Sequence, residues 1–445
     1  MIKGSIKELR HLFYSPLSSY DRVGLLRPIT LFSIHQRTIN VKSRLFGSTL
    51  IIAGTAVGAG MLAMPLTSAQ MGFGMTFILL FSLWILLTFT ALLYAEVHQY
   101  SPIDAGIATI TEQYFGITGR LVVNFILLFF MYAVLTAYIT GSGNLLFNLI
   151  PKSFNLDPVK AQKIAALLFA ILFGTIITIG IALSDMTNRL FFTLKVISFI
   201  VLLYLLFGKF SFSNLHYAPT NNLLVISALP IFFMTFGFHI CTPTINEYLQ
   251  GDHQKLKLAA ILGSTGIFLI YIIWQMATHG VLKQEDLVAI LNKDPSLNGL
   301  ITAFEITTGS KTISEIVRVF SVLALTTSYI GVSLGLSNAV KDLLAHFNLS
   351  KSNLMVGAIT FIPPIIVGFT YPTIFLSAFA FAGVIFAFIG VILPVLLVYK
   401  ARKKYPDGKR VKGGNISLIL ALLFAAVIIF VGSFPELLNL PSVVG

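Results

Sequence analysis

From Leu45 to Ala95 the chain runs for 51 residues without an Asp, Glu, Lys or Arg. A helix crosses the ~30 Å hydrocarbon core of a bilayer in about 20 residues. The run therefore predicts two membrane-spanning helices, joined by a hairpin at Gly72-Phe73-Gly74. A second uncharged run, the 48 residues Ser352–Tyr399, predicts two more, turning at Tyr371-Pro372-Thr373. Single spans are expected within Leu121–Pro151, Ile164–Ser184, Leu190–Gly208, Phe210–Asn246, Leu258–Leu282, Val319–Val340 and Gly413–Pro435. The expected fold class is an all-α polytopic membrane protein with 11 transmembrane helices.

Composition agrees. Charged residues make up 11% and hydrophobic residues 56%, with 39 phenylalanines, against about 25% charged in a soluble domain. That much apolar surface cannot be hidden inside a water-soluble fold. A soluble enzyme, a disordered chain and a disulfide scaffold are excluded, and the one cysteine, Cys241, cannot form an internal disulfide. The formal charge of +13 does not point to nucleic acid, because the basic residues gather on one side. With the N-terminus inside, inner segments hold 21 Lys and Arg and outer segments hold 8. This bias predicts a cytoplasmic N-terminus and, with an odd span count, an outside C-terminus. Residues 1–42 are polar and basic and read as a cytoplasmic arm, not a signal peptide. Residues 279–314 are the one sizeable outside loop, and their short apolar pieces suggest short helices packed over the bundle.

Two spans break the pattern of unbroken apolar helices. Span 1 carries Gly54-Thr55-Ala56-Val57-Gly58-Ala59-Gly60 and then Pro65. Each glycine weakens a helix by about 1 kcal/mol relative to Ala. Close helix packing through Gly54 and Gly58 accounts for two glycines but not for Gly60. Span 6 carries Pro230, then Thr235-Phe236-Gly237-Phe238-His239, then Thr242-Pro243-Thr244, which a proline kink alone would explain. Span 1 opens the first five helices and span 6 the second five. Interrupted helices at matching positions point to an inverted-repeat secondary transporter. Free N–H groups near Gly58–Gly60, at a positive dipole end, suit a carboxylate, and free carbonyls suit an ammonium. A zwitterionic amino acid offers both.

These residues resemble known signatures. Gly54–Pro65 is similar to the opening motif of the hydroxy and aromatic amino acid permeases, and Phe236-Gly237-Phe238-His239 with Pro243 to their helix-6 motif. Leu323–Leu336 resembles their helix-8 signature, and Thr136-Ala137-Tyr138-Ile139-Thr140-Gly141 resembles helix 3 of the tyrosine- and tryptophan-specific members. The resemblance covers about residues 43–436. It implies a proton-coupled importer in a bacterial inner membrane, most simply of tyrosine or tryptophan, with serine or threonine as the alternative cargo. The implied core is the 5+5 leucine-transporter-type inverted repeat of the amino acid–polyamine–cation superfamily, with helices 1–5 in residues 43–208 and helices 6–10 in 209–399. Residues 400–445 would hold a basic cytoplasmic loop, helix 11 and the C-terminus. The arm is longer than the family pattern, and Ile240-Cys241 follow His239 where the pattern has a glycine and a small residue.

The candidate substrate-binding residues are Gly54, Thr55, Ala56, Gly58, Ala59, Gly60, Tyr138, Thr235, Phe236, Gly237, Phe238, His239, Thr327 and Ser328. Lys195 and His239 are candidates for proton coupling. In sodium-driven members of this fold a cation bridges helix-1 carbonyls and a pair of helix-8 hydroxyls. Thr327 and Ser328 match that pair, and Lys195 resembles the lysine of proton-coupled relatives. Placed six residues after Arg189, Lys195 either snorkels to the interface or turns its amine toward helices 1 and 8. His239 touches substrate, carries a proton or caps freed carbonyls. Glu96, ending span 2, reads as a solvated interfacial carboxylate. No cofactor motif, metal-ligand spacing or paired catalytic groups occur, so an enzyme is not expected, and neither filter repeats nor an ATP-binding loop is present. The expected partners are an amino acid, protons and the lipid bilayer.

Overall fold

In the computed structural model, residues 41–150, 155–346, 349–350 and 352–441 are described. The arm expected over 1–42 lies outside them, apart from its last two residues. No strand occurs among the described residues. Ten helices are long and apolar enough to cross a membrane, and a bent pair makes an eleventh span.

Span 1 is that pair, α1 (Val41–Ala56) and α2 (Ala59–Ser68). Spans 2 to 5 are α3 (Gly72–His98), α4 (Ile107–Leu146), α5 (Pro158–Ile179) and α6 (Ile181–Phe207). Span 6 is α7 (Leu224–Thr235) followed by α8 (Thr242–Tyr248), and span 7 is α9 (His253–Val281). The expected loop helices are α10 (Gln284–Leu291) and α11 (Leu297–Thr308). Spans 8 and 9 are α12 (Lys311–His346) and α13 (Asn353–Thr370). Span 10 joins α14 (Phe375–Ala387) to α15 (Leu393–Lys404) through a π-helical stretch, Phe388–Ile392, and span 11 is α16 (Gly414–Ser433). The molecule thus has a basic face, where α1 begins and the loop after α15 lies, and an opposite face carrying α10 and α11.

Several boundaries differ from the sequence reading. The first hairpin turns at Ala69–Met71, earlier than expected. Gly72 opens α3 at φ +70°, where an added Cβ would stand 2.2 Å from the Tyr217 carbonyl. Gly116, at φ 66°, kinks α4 and separates a short entry helix from span 3 proper. Span 5 begins at Ile181, not Leu190. Lys195 therefore lies 14 residues along α6, about 21 Å at 1.5 Å per residue. Pro230 sits inside α7, so the break in span 6 falls after it. Aspartates cap two of the spans: the Lys160 N–H on Asp157 and the Lys255 side chain and N–H on Asp252 hold both carboxyls below their ordinary value.

Prolines within spans leave backbone carbonyls without their helical donor, and in a membrane each needs another. Pro65 orphans the Met61 carbonyl, which receives the Trp274 indole N–H at 2.8 Å. Pro363 orphans Ile359, which receives the Tyr132 hydroxyl at 2.7 Å. In the π stretch of span 10, Ile389 receives the Tyr94 hydroxyl at 2.7 Å. Aromatic donors on neighbouring helices thus take up these three carbonyls and tie the irregular spans to the helices beside them.

Candidate functional site at two broken helices

Span 1 unwinds at Val57 and Gly58, and its two halves meet at 50°. Gly58 is extended, at φ −149° and ψ −152°, and offers no capping side chain to α2. The first N–H groups of α2 have no partner within their own helix and form the positive end of its dipole. Packing explains the glycines. A Cβ on Gly58 would stand 2.4 Å from Ser328 Oγ, and one on Gly60 would stand 3.1 Å from Thr235 Cβ. The break thus presses against span 8 on one side and the end of α7 on the other.

Span 6 breaks where α7 ends at Thr235. The chain passes through a 3₁₀ turn, His239–Cys241, and resumes with Pro243 in the first turn of α8. The two breaks touch. Cys241 lies beside Thr55, and Gly60 packs on Thr235. Tyr271 of span 7 brings its hydroxyl to 2.8 Å from the Ala56 carbonyl and 2.6 Å from the Thr235 carbonyl. Its ring meets Phe236 edge to face at 5.2 Å. From span 3, the Tyr138 hydroxyl lies beside Ser328.

Lys195 does not snorkel. It is 2% exposed, and its ammonium donates to the Val57 carbonyl at 2.6 Å and to Thr327 Oγ1 at 3.2 Å. The Val57 carbonyl belongs to the unwound segment, so the lysine supplies a donor that the helix cannot. The Phe192 ring lies 4.7 Å from the same nitrogen.

Gly58, Tyr138 and Ser328 come together at one end of this cluster, and Ala56, Gly60, Thr235 and Phe236 at the other, with Lys195 and Thr327 beneath Val57. Gly54 faces the Phe192 ring instead. His239 stands apart from spans 1, 3 and 8. Its Nε2 lies 2.9 Å from Thr90 Oγ1 of span 2, and its ring packs against Phe238, Phe386 and Tyr94. Glu96 is corrected outright. It is 1% exposed, because Arg402 clasps it with two bonds of 2.7 and 2.9 Å and the Val411 N–H adds a third at 2.6 Å.

Tyr271 and Trp274 were not singled out from the sequence. Their signal was present: two hydrogen-bonding aromatics three residues apart on one face of an otherwise apolar span.

The site is covered from one side. Every residue of α2 is buried, and Trp274 lies beneath Phe304 of α11. Toward the basic face, Thr55 and Gly331 are exposed and Ser328 and Cys241 are half-buried.

Comparison with known proteins gives this geometry a family. The fold resembles a crystal structure of a manganese transporter from Eremococcus coleocola, at a TM-score of 0.56 and 12% identity over 90% of this chain and 87% of that one. The sequence is 45% identical to tyrosine-specific transport system 1 of Haemophilus influenzae over 90% of this chain and 99% of the relative. It is 42% identical to tyrosine-specific transport system 2 of the same organism over 91% of this chain and 100% of the relative. Residues 41–432 match the tryptophan/tyrosine permease family as a whole. By that match and these relatives, the chain is a multi-pass transport protein and not an enzyme, and it belongs to the tryptophan/tyrosine permease family.

Proposed function

We propose that this protein is a secondary active transporter importing an aromatic amino acid, tyrosine or tryptophan, in symport with protons. The cargo reading is carried by the 45% identity, over almost its whole length, to a relative named tyrosine-specific. The transporter sits in a bacterial inner membrane with its N-terminus inside and its C-terminus outside. Residues 43–208 and 209–399 form two inverted halves, each opened by a broken helix. The substrate carboxylate meets the free N–H groups of Ala59 and Gly60, beside Gly58 at the start of α2. Its ammonium meets carbonyls of the two breaks, and its ring lies against Tyr138, Phe236 and Phe238.

The coupling reading is carried by the contact of Lys195 with Val57 and Thr327. The lysine occupies the place between spans 1 and 8 where a cation otherwise joins them, and it brings the positive charge itself. Release and recapture of its proton, as the cavity opens to each side in turn, links uptake to the proton gradient.

Uptake of labelled tyrosine, tryptophan, phenylalanine and serine into proteoliposomes under an imposed pH gradient tests both readings. Tyrosine or tryptophan is expected to accumulate without sodium. Absence of uptake for all four overturns the aromatic reading, as does better competition by serine than by tyrosine. A sodium requirement overturns the coupling reading alone.

A further inference from the structure

Among the described residues, four aromatic donors close irregular backbone within the spans. Trp274, Tyr132 and Tyr94 each serve one carbonyl. Tyr271 differs, because its hydroxyl faces two carbonyls, Ala56 at 2.8 Å and Thr235 at 2.6 Å. A hydroxyl carries one proton, so it donates to one of them. The other carbonyl then points its lone pairs at the hydroxyl oxygen at hydrogen-bond distance with no proton between. One of these two short oxygen–oxygen contacts therefore lacks a proton, and a further donor at this point would supply it.

The two carbonyls are not ordinary ones. Ala56 ends α1 and Thr235 ends α7, so they are the last helical carbonyls before the two breaks. Both sit at negative ends of half-helix dipoles. Ala56 already accepts the Gly58 N–H at 2.8 Å, which fixes one of its lone pairs and leaves the other for Tyr271 or a ligand. The group that fits is a cation with several N–H protons, able to reach a carbonyl and the Tyr271 oxygen together. A primary ammonium has three.

We propose that Tyr271 is the positioning residue of the ammonium subsite: it draws the carbonyls of the two broken helices to one point and sets the requirement that the cargo carry a free α-amine. This rests on the amino acid reading above, but not on which amino acid is carried. In the empty site the hydroxyl holds the gap between the carbonyls. With cargo bound, it keeps its bond to one carbonyl and accepts from the ammonium, which takes the other. Tyr271 acts through the Ala56 and Thr235 carbonyls, and its ring fixes the position of Phe236 whether or not the hydroxyl is present.

The test compares wild type with Tyr271→Phe in proteoliposomes. The cargo is whichever amino acid of a full panel wild type accumulates, and competition is measured with that amino acid and with its amine-free carboxylic acid analogue. Tyr271→Phe is expected to raise KM about tenfold, the equivalent of ~1.4 kcal/mol, while the maximal rate stays within about twofold. The wild-type preference for the amino acid over its amine-free analogue should shrink by a similar factor. Weakening of both ligands alike, or an unchanged KM, overturns the proposal, because a purely structural hydroxyl has no reason to distinguish an amine. Tyr271→His, which keeps a donor on a ring, is the second variant should Tyr271→Phe not reach the membrane. It is expected to retain more amine discrimination than Tyr271→Leu, and equal discrimination in the two overturns the proposal. A wild type that carries glutamine and not tyrosine would overturn the aromatic reading while leaving Tyr271 tested on glutamine.

Discussion

The two halves of span 1 share a sequence segment and a single crossing of the membrane, yet they are held in opposite ways. In α2 every residue is buried. Trp274 takes its proline-freed carbonyl, and Ser68 at its end meets His279 at 3.0 Å and Gln275 at 3.2 Å. In α1, Phe46, Leu50 and Thr55 are exposed, and the firmest packing is the seat of Ile52 on Gly263 of span 7. Donors fasten α2 at several points, whereas α1 meets a donor from a neighbouring span at its last residue, where Ala56 faces Tyr271, and is otherwise held by shape. The joint between them is gripped by Lys195 at Val57. A helix hydrogen-bonded to its neighbour at several depths moves with that neighbour, and one tied only at its end can tilt about that end. The difference predicts that α1 tilts more readily than α2.

The largest expected effect falls on the joint. Lys195→Ala removes the donor from Val57 and is expected to abolish pH-driven accumulation while substrate exchange persists. Accumulation against a gradient by this variant would remove Lys195 as the coupling group. Next, Gly58→Leu drives a side chain into Ser328, and substrate binding should weaken at least about a hundredfold, ~2.8 kcal/mol, in protein that still inserts. Native affinity in a folded sample would show that cargo does not approach this backbone.

Smaller effects separate the halves themselves. A Cβ on Gly263 would stand 2.5 Å from Ile52 Cβ, whereas one on Gly266 would meet Ala53 at an ordinary 3.6 Å. Overpacking of this kind costs about 1–3 kcal/mol. Gly263→Ala should therefore push α1 outward and raise maleimide labelling of Cys241 at least about fivefold, with Gly266→Ala unchanged. Equal labelling rates in the two variants would mean that α1 is not seated by shape. The smallest change is expected from Trp274→Phe, which leaves the Met61 carbonyl unpaired at about 0.6–1.7 kcal/mol. It should lower thermal stability without altering Cys241 labelling, since α2 is fastened at other points.

The spans were legible because lipid forbids charge. The uncharged run Leu45–Ala95 can be read with no knowledge of its neighbours, and so can Gly58 and Gly60, whose cost to a helix is local. Partnerships were not legible in that way. Whether Lys195 snorkels depends on where α6 begins, and the pattern of charges put that start nine residues late, because Asp185 and Arg189 pair on the helix surface at 2.8 Å instead of marking a loop. His239 lies in the motif of the break but turns toward spans 2 and 10, a choice made by packing with Thr90 and Phe386. Tyr271 acts on carbonyls 215 and 36 residues away, and the spacing of Tyr271 and Trp274 marks a face of span 7 without naming those partners.

The pair of Glu96 and Arg402 bears on how the protein is made. The two residues are 306 positions apart, so the carboxylate at the end of span 2 is synthesised long before the guanidinium that buries it. Until span 10 enters the membrane, the end of span 2 must remain in water, since an unpartnered buried charge costs about 3–5 kcal/mol. A chain ending before Phe375 would contain every residue assigned to the broken-helix cluster and still be unable to close its own base. Completion of the last 71 residues, Phe375 to Gly445, which supply none of the residues assigned to the broken-helix cluster, is therefore expected to be the step after which the end of span 2 can be buried, and a point at which finished copies differ from truncated ones.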